Sequence, residues 1–368
     1  MRLPLAPPFP PMEALSAAEL PRGGGWQYEP KWDGFRCLAF RDGAEVELQS
    51  KSGQPLARFF PDVANALKNY GAKRFVLDGE LVIPVEGDLS FNDLQLRLHP
   101  AASRVNRLAA EHPAILLAFD LLVDEKGKPL TALPLGERRR RLEAFFARWG
   151  ETAALKLSPA TADFEAARGW LGATGGGLDG IVAKRLDAQY ESGERSGAMQ
   201  KIKNLRSADC VVGGFRYASK GGVAGSLLLG LYDEGGLLHH VGFTSAMSLL
   251  LGLYDEGGLL HHVGFTSAIP AAEKKALTAK LERLRKTPGF TGSAPGGPSR
   301  WSTERTGEWE PLDPKLVVEV QYDHFTGGRF RHGTKLLRWR PDKDPRQCTM
   351  TQVERESRTP LGLLAGGA

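Results

Sequence analysis

Over the first two hundred residues, apolar positions recur in short alternating runs that predict strands, separated by stretches with helical periodicity. "FRCLAFRDGAEVELQS" (35–50) reads as two strands joined at Asp42 and Gly43, the favoured chemistry of a tight hairpin. "RFVLDGELVIP" (74–84), "AILLAFDLLV" (114–123) and "LDGIVAKRL" (178–186) are further strand candidates. In "LGERRRRLEAFFARWG" (135–150), Leu135, Leu142, Phe145, Phe146 and Trp149 share one helical face, which assigns Arg138 to Arg141 to the solvated side. This half predicts a mixed sheet with flanking helices.

Beyond "KIKNLRSADC" (201–210) the pattern changes to short strands with Gly-rich turns, including "CVVGGFRYAS" (210–219) and "KLVVEVQYDHF" (315–325), with one helix at "AAEKKALTAKLERLRK" (271–286). That combination suits a small OB-fold barrel. The expected fold class is α+β: mixed sheets and helices over 1–205, then an OB-fold β-barrel domain over 206–368.

Inside the second part, "SLLLGLYDEGGLLHHVGFTSA" occurs twice, at Ser226–Ala246 and Ser248–Ala268, within a tandem duplication of 22 residues (226–247 and 248–269). Two copies fall short of a solenoid. Each reads as strand, turn, strand, so a second copy adds a hairpin without redirecting the chain, and it is expected to be dispensable. The repeated stretch itself does not decide which copy completes the barrel. His239, His240, His261 and His262 come as adjacent pairs, and neighbours in a strand point to opposite faces, so they are read as strand residues and not metal ligands.

The 368 residues are 42% hydrophobic and 25% charged, a globular and not a disordered composition, and the net charge of +5 suits an anionic partner such as nucleic acid or nucleotide. Cys37, Cys210 and Cys348 are far apart and odd in number, which supports neither a disulfide framework nor a zinc knuckle and fits a reducing cytoplasm. The Pro-rich start "MRLPLAPPFPPMEAL" has no apolar signal core, and no run is long enough to span a bilayer. A soluble, cytoplasmic protein is expected.

Chemistry concentrates in short pieces. "YEPKWDGFR" (28–36) places Lys31 beside a Gly turn and among Glu29, Asp33 and Arg36. Such a lysine is either an attacking amine, which nearby cations help deprotonate, or a surface residue at the start of a strand. "QSKSG" (49–53), "LDGEL" (77–81), "FDLL" (119–122), "LDGIVAK" (178–184), "QKIKN" (200–204) and "RWRPDKDP" (338–345) follow in order.

In this order and at these separations the pieces resemble the motifs of the covalent nucleotidyltransferases: ATP-dependent DNA ligases, RNA ligases and mRNA-capping enzymes. The resemblance covers nearly the whole chain and is nearest to the short stand-alone bacterial ATP-dependent DNA ligases of the ligase C group. It implies an adenylation domain followed by the OB domain, ATP as co-substrate, Mg²⁺ or Mn²⁺ as metal, and nicked double-stranded DNA as partner. It further implies a monomer that works beside DNA-repair proteins.

The resemblance also assigns roles. Lys31 becomes the nucleophile that takes AMP, with Asp33 in the catalytic motif and Glu29 at the adenine. Arg36 and Lys51 hold ribose and phosphate, and Phe119 stacks on the purine. Glu80 and Asp179 bind metal or ribose, and Lys201 and Lys203 face the phosphates from one strand. Arg340, Asp342 and Lys343 orient the departing pyrophosphate, and Arg329, Arg331, Lys335 and Arg338 contact DNA phosphates. Two residues depart from the usual motifs: Lys51 stands where relatives commonly carry Arg, and Asp179 where many carry Glu. The rival expectations are an RNA ligase or GTP-using capping enzyme of the same fold, and a non-catalytic nucleic-acid-binding OB protein.

Overall fold

The hydrophobic alternation is realised in two facing sheets. A computed structural model describes the chain except residues 173–177, 219–221, 246–248, 255–259, 267–270, 296–307, 324, 327, 331–333, 354–361 and 366–368. Two compact units result: Met1–Asn204 with Glu356–Ala368, and Leu205–Arg355.

In the first unit the strands are β1 (Glu13–Ala17), β2 (Trp26–Trp32), β3 (Phe35–Asp42), β4 (Glu45–Ser50), β5 (Arg74–Val82), the short hairpin β6 (Pro84–Val85) and β7 (Asp88–Leu89), β8 (Ile115–Val123), β9 (Leu155–Leu157), β10 (Leu178–Arg185) and β11 (Arg195–Ile202). One sheet has the order β1-β11-β10-β2, the other β4-β3-β5-β8-β9. Helices α1 (Pro61–Asn69), α2 (Phe91–Arg97), α3 (Ala102–Glu111), α4 (Leu135–Trp149) and α5 (Phe164–Gly172) flank them.

Period-two alternation splits the five-stranded sheet between two cores. Cys37, Ala39, Phe75 and Leu77 pack with Leu67, Leu142 and Phe145 of α1 and α4, while Leu38, Phe40 and Val76 pack with Met12, Tyr190 and Met199 on the opposite face. The β3–β4 turn is Gly43–Ala44, one residue later than the Asp-Gly pair suggests. Asp42 is held in the ladder on both sides, by Glu45 and Arg74, and Gly43 supplies the left-handed φ of +63°.

The arginine run of α4 is not a solvated face throughout. Arg138 and Arg139 are buried. Arg138 binds both oxygens of buried Asp120 on β8 and donates to the carbonyls of Leu133 and Ala188, and Arg139 donates to Ser158 O. A guanidinium whose N–H donors find fixed acceptors can leave water, and apolar periodicity cannot register this.

The second unit holds β12 (Arg206–Tyr217), β13 (Ala224–Tyr232), β14 (Leu238–Ser245), β15 (Leu249–Tyr254), β16 (Leu260–Thr266), helix α6 (Ala271–Glu282), β17 (Glu310–Pro311), β18 (Val317–Tyr322), β19 (Phe325–Thr326), β20 (Arg329–Phe330) and β21 (Lys335–Trp339). Its main sheet runs β14-β13-β12-β18-β21, with β17 also on β12. The expected barrel is not closed among the described residues. Its edge strands meet at one parallel bridge, Thr244 with Thr334, because Thr334 immediately precedes β21 while β14 ends at Ser245. Helix α7 (Gly362–Ala365), near the C-terminus, groups with the first unit, where Leu363 packs against the cluster of Trp32, Val82 and Leu117.

The duplicated hairpins take different places. The first copy supplies β13 and β14 of the main sheet, whereas β15 and β16 pair as a separate two-stranded sheet with the same register and the same bulge, Leu251/Gly252 matching Leu229/Gly230. What separates them is the residue before each copy. A Cβ at Gly225 would lie 2.9 Å and 3.0 Å from main-chain atoms of Ala218. The corresponding position before the second copy is Met247, so only the first copy starts with the residue that this approach to Ala218 requires.

Candidate active site

Lys31 lies near the end of β2, where the chain turns at Gly34 into β3. A side chain at Gly34 would collide with Leu81 O at 2.2 Å, so glycine lets β2 and β3 close onto β5. The β3–β5 register pairs Arg36 with Glu80. Strands β2 and β10 are antiparallel and pair Glu29 with Val182. These pairings bring residues far apart in sequence around one cavity of about 220 Å³ between the sheets, whose walls include Glu29, Lys31, Arg36, Lys51, Glu80, Phe119 and Lys201.

One end of the cavity is buried and specific. Glu29, 2% exposed, accepts from Lys184 Nζ at 2.7 Å and from Gln27 Nε2 at 2.7 Å. Lys184 Nζ lies 4.4 Å from the centroid of Phe119, and the Arg36 guanidinium carbon lies 4.7 Å from the same centroid. Arg36 is gripped by Asp78 through two hydrogen bonds of 2.5 and 2.6 Å.

Another part of the cavity wall is cationic. Lys51 Nζ bonds Glu13 Oε2 at 3.0 Å, and Arg195 bonds the same oxygen. Lys201 also lines the cavity, and burial together with Lys31, Arg195, Lys203 and Lys51 pulls its ammonium below the usual lysine range. Lys203 lies just past the end of β11 and is not among the residues that line the cavity. It binds Asp179 Oδ2 at 3.1 Å, the oxygen that also takes Lys31 Nζ at 2.6 Å. Asp33 is buried just after Lys31 and Trp32.

A model of the ATP dependent DNA ligase domain matches residues 5–203, and a model of the ATP dependent DNA ligase C terminal region matches residues 243–343. DNA ligase C2 of Mycolicibacterium smegmatis is 43% identical over 96% of both chains. The chain belongs to the ATP-dependent DNA ligases. DNA ligase C of Mycobacterium tuberculosis is 39% identical over 100% of this chain and 99% of its own. A solved structure from a study of Lig E DNA ligases, 18% identical, shares the fold with a TM-score of 0.50 over 89% of this chain and 99% of that one.

In this ligase the second unit carries the remaining sequence-nominated residues. Arg340 binds Asp209 at 2.8 Å and Asp342 at 2.8 Å, Lys343 binds Asp209 at 3.4 Å, and Arg338 binds Glu319 at 2.6 Å. Asp342 is thereby held at a pKa of about 2. Lys335 opens β21 and Arg329 opens β20, whereas Arg331 lies outside the described residues. No helix among the described residues is long and apolar enough to cross a membrane.

Sequence reading missed Lys184, Glu13, Met12 and Met199 in the cavity wall. Lys184 ends a quoted motif, but its signal is that of any strand lysine. Met12 and Glu13 follow a Pro-rich start with no chemistry of its own.

A divalent cation fits this ligase in a limited way. Among the described residues no cluster of three or more His, Cys, Asp or Glu is present. Glu80 and Asp179 would supply one or two carboxylates, the donor set suited to magnesium that keeps water and substrate phosphate as its other ligands. Burial pushes the Glu80 carboxyl up to about 7, with Arg36 and Lys31 opposing the shift, and a cation beside it would favour its ionised form.

The metal-free protein should record this proton. Glu80 ionises near pH 4.3 in an unfolded chain and near 7 in the folded one, so between these values the folded state binds the extra proton. Its contribution is greatest below the unfolded value and is lost as pH rises through 7. Urea titrations in chelator are expected to lose stability on the order of 1 to 2 kcal/mol from pH 5 to pH 8, discounted for the partial exposure of the side chain. Glu80→Gln should flatten that slope, and an equal slope in the variant would assign it to another group.

Proposed function

We propose that this ligase seals nicks in duplex DNA through AMP carried on Lys31, with the first unit as the adenylation domain and the second as the OB domain. The observation that carries the reading is the placement of Lys31 in one cavity that buried Glu29, the Phe119 ring, Lys51 and Lys201 also line. Glu29 suits an amino group on the purine edge, Phe119 the purine face, and Arg36 the ribose. In the first step the Lys31 Nζ lone pair forms a bond to the α-phosphorus of ATP and the bond to pyrophosphate breaks. Lys31 gives up its proton and its contact with Asp179, and Lys51 and Lys201 face the charge gathered on the leaving pyrophosphate.

In the second step a 5′-phosphate oxygen of the nick attacks the same phosphorus, the P–N bond breaks and Lys31 regains a proton. In the third, the 3′-hydroxyl attacks the activated 5′-phosphorus and AMP leaves. Magnesium or manganese, held by Glu80 with Asp179, would neutralise phosphate charge. Arg340, Asp342 and Lys343 orient pyrophosphate, and the basic stretch from Arg329 to Arg346 is the DNA-phosphate surface. The ligase is read as a monomer active in DNA repair.

Sealing of nicked DNA and nicked RNA duplexes, each with ATP and with GTP, tests this directly. Efficient sealing of the DNA nick with ATP is expected. Preference for the RNA nick or for GTP would replace the reading with its same-fold rivals, and absence of any nucleotide adduct would point to a binding protein.

A further inference from the structure

One wall of the cavity comes from the chain as it enters β1, through Pro11, Met12, Glu13 and Ala14. This segment is fastened by side chains. Gln49 Oε1 accepts the Phe9 N–H at 2.8 Å while Gln49 Nε2 donates to Phe9 O at 2.7 Å, and Ser192 Oγ donates to Pro10 O at 2.7 Å. The last fastening is a closed ring of hydrogen bonds. Met12 N–H donates to Tyr190 Oη at 3.1 Å, Tyr190 Oη donates to Asp78 Oδ2 at 2.6 Å, Asp78 takes both arms of Arg36, and Arg36 Nη2 returns to Met12 O at 3.4 Å.

Two members of this ring, Met12 and Arg36, line the cavity, while Tyr190 and Asp78 stand behind them. Asp78 is fully buried and Tyr190 is 7% exposed. We infer that Tyr190 is a positioning residue for nucleotide binding, its hydroxyl holding the Arg36 guanidinium against Phe119 and the Met12 wall in one arrangement. The inference rests on the reading that this cavity takes ATP and goes beyond it to a residue outside every motif that reading uses.

The chemistry suits a fixed latch. Burial and the Asp78 carboxylate raise the Tyr190 phenol well above its ordinary value, so the hydroxyl stays protonated and donates throughout the working pH range. Its ring is separately supported, stacked on Phe9 at 6.3 Å and 5.6 Å from the Arg138 guanidinium. Tyr190→Phe therefore removes one hydroxyl and keeps the packing.

The test measures calorimetric binding of α,β-methylene ATP, which cannot form the adduct, to the wild-type chain, Tyr190→Phe, Arg36→Ala and the double variant. Loss of a hydrogen bond to a charged group predicts a Kd raised about tenfold in Tyr190→Phe. If the hydroxyl acts through Arg36, adding Tyr190→Phe to Arg36→Ala weakens binding by less than about twofold further. Met12→Pro, which deletes the N–H that Tyr190 accepts and leaves Tyr190 in place, should reproduce the tenfold loss. An unchanged Kd in Tyr190→Phe or Met12→Pro, with or without a lowered Tm, overturns the inference, as does full additivity with Arg36→Ala. A wild-type chain that binds no analogue would instead refute the nucleotide reading of the cavity, so the two failures are distinct.

Discussion

Lys31→Ala leaves no AMP covalently attached to the protein, a fall of at least about 10⁴-fold in adduct formation. No second amine replaces it. Lys184 is tied to Glu29 at 2.7 Å and Lys51 to Glu13 at 3.0 Å, Lys203 does not line the cavity, and Lys201, which does, is assigned to the leaving pyrophosphate. Lys31→Arg gives the same loss although it keeps a cation beside Asp179, because a guanidinium cannot surrender its proton to become a nucleophile. Binding of nicked DNA is expected to stay within about twofold of wild type, since the electrostatic contact is proposed for the basic stretch from Arg329 to Arg346. Incubation with α-labelled ATP and Mg²⁺, resolved on a denaturing gel, checks the first outcome and a mobility shift the second. A labelled band in Lys31→Ala would move the nucleophile elsewhere.

Asp120→Ala destabilises the first unit by about 3 to 5 kcal/mol. Asp120 and Arg138 are 3% and 2% exposed, and three contacts of 2.9 to 3.2 Å join them. Removing the carboxylate leaves a buried guanidinium with two carbonyl acceptors, Leu133 O and Ala188 O. The uncompensated charge, not the lost attraction, dominates the cost. For a unit of this size the midpoint of thermal unfolding should fall by about 10 °C. Replacing both partners, Asp120→Leu with Arg138→Met, should recover most of the loss because no charge is then stranded. Equal losses in the single and double variants would show that the carbonyl contacts of Arg138 carry the stability instead.

This pair also shows where sequence reading stops. The strands around the site were legible because alternation, Asp42-Gly43 and the apolar run through Phe119 are local signals. The ordered motifs nominated Glu29, Lys31, Arg36, Lys51, Glu80, Phe119 and Lys201, and all of them line one cavity. Burial of Arg138 was not legible, since it depends on Asp120, whose place in "FDLL" gives no sign of a partner eighteen residues on. The same holds for Tyr190, whose role comes from contacts with Met12 and Asp78 across the fold. Asp179, nominated for metal, also pairs through one oxygen with Lys31 and Lys203, contacts across the fold that its motif does not display. The incomplete barrel turns on how far β14 and β21 overlap, a length that strand patterning does not specify.

The close approach of Gly225 to Ala218 gives the duplication a direction. The main-sheet position belongs to the first hairpin, and β15 and β16 pair only with each other among the described strands. A tandem copy of this kind leaves the chain's path through the main sheet unchanged, because a whole hairpin returns the backbone to the side on which it entered.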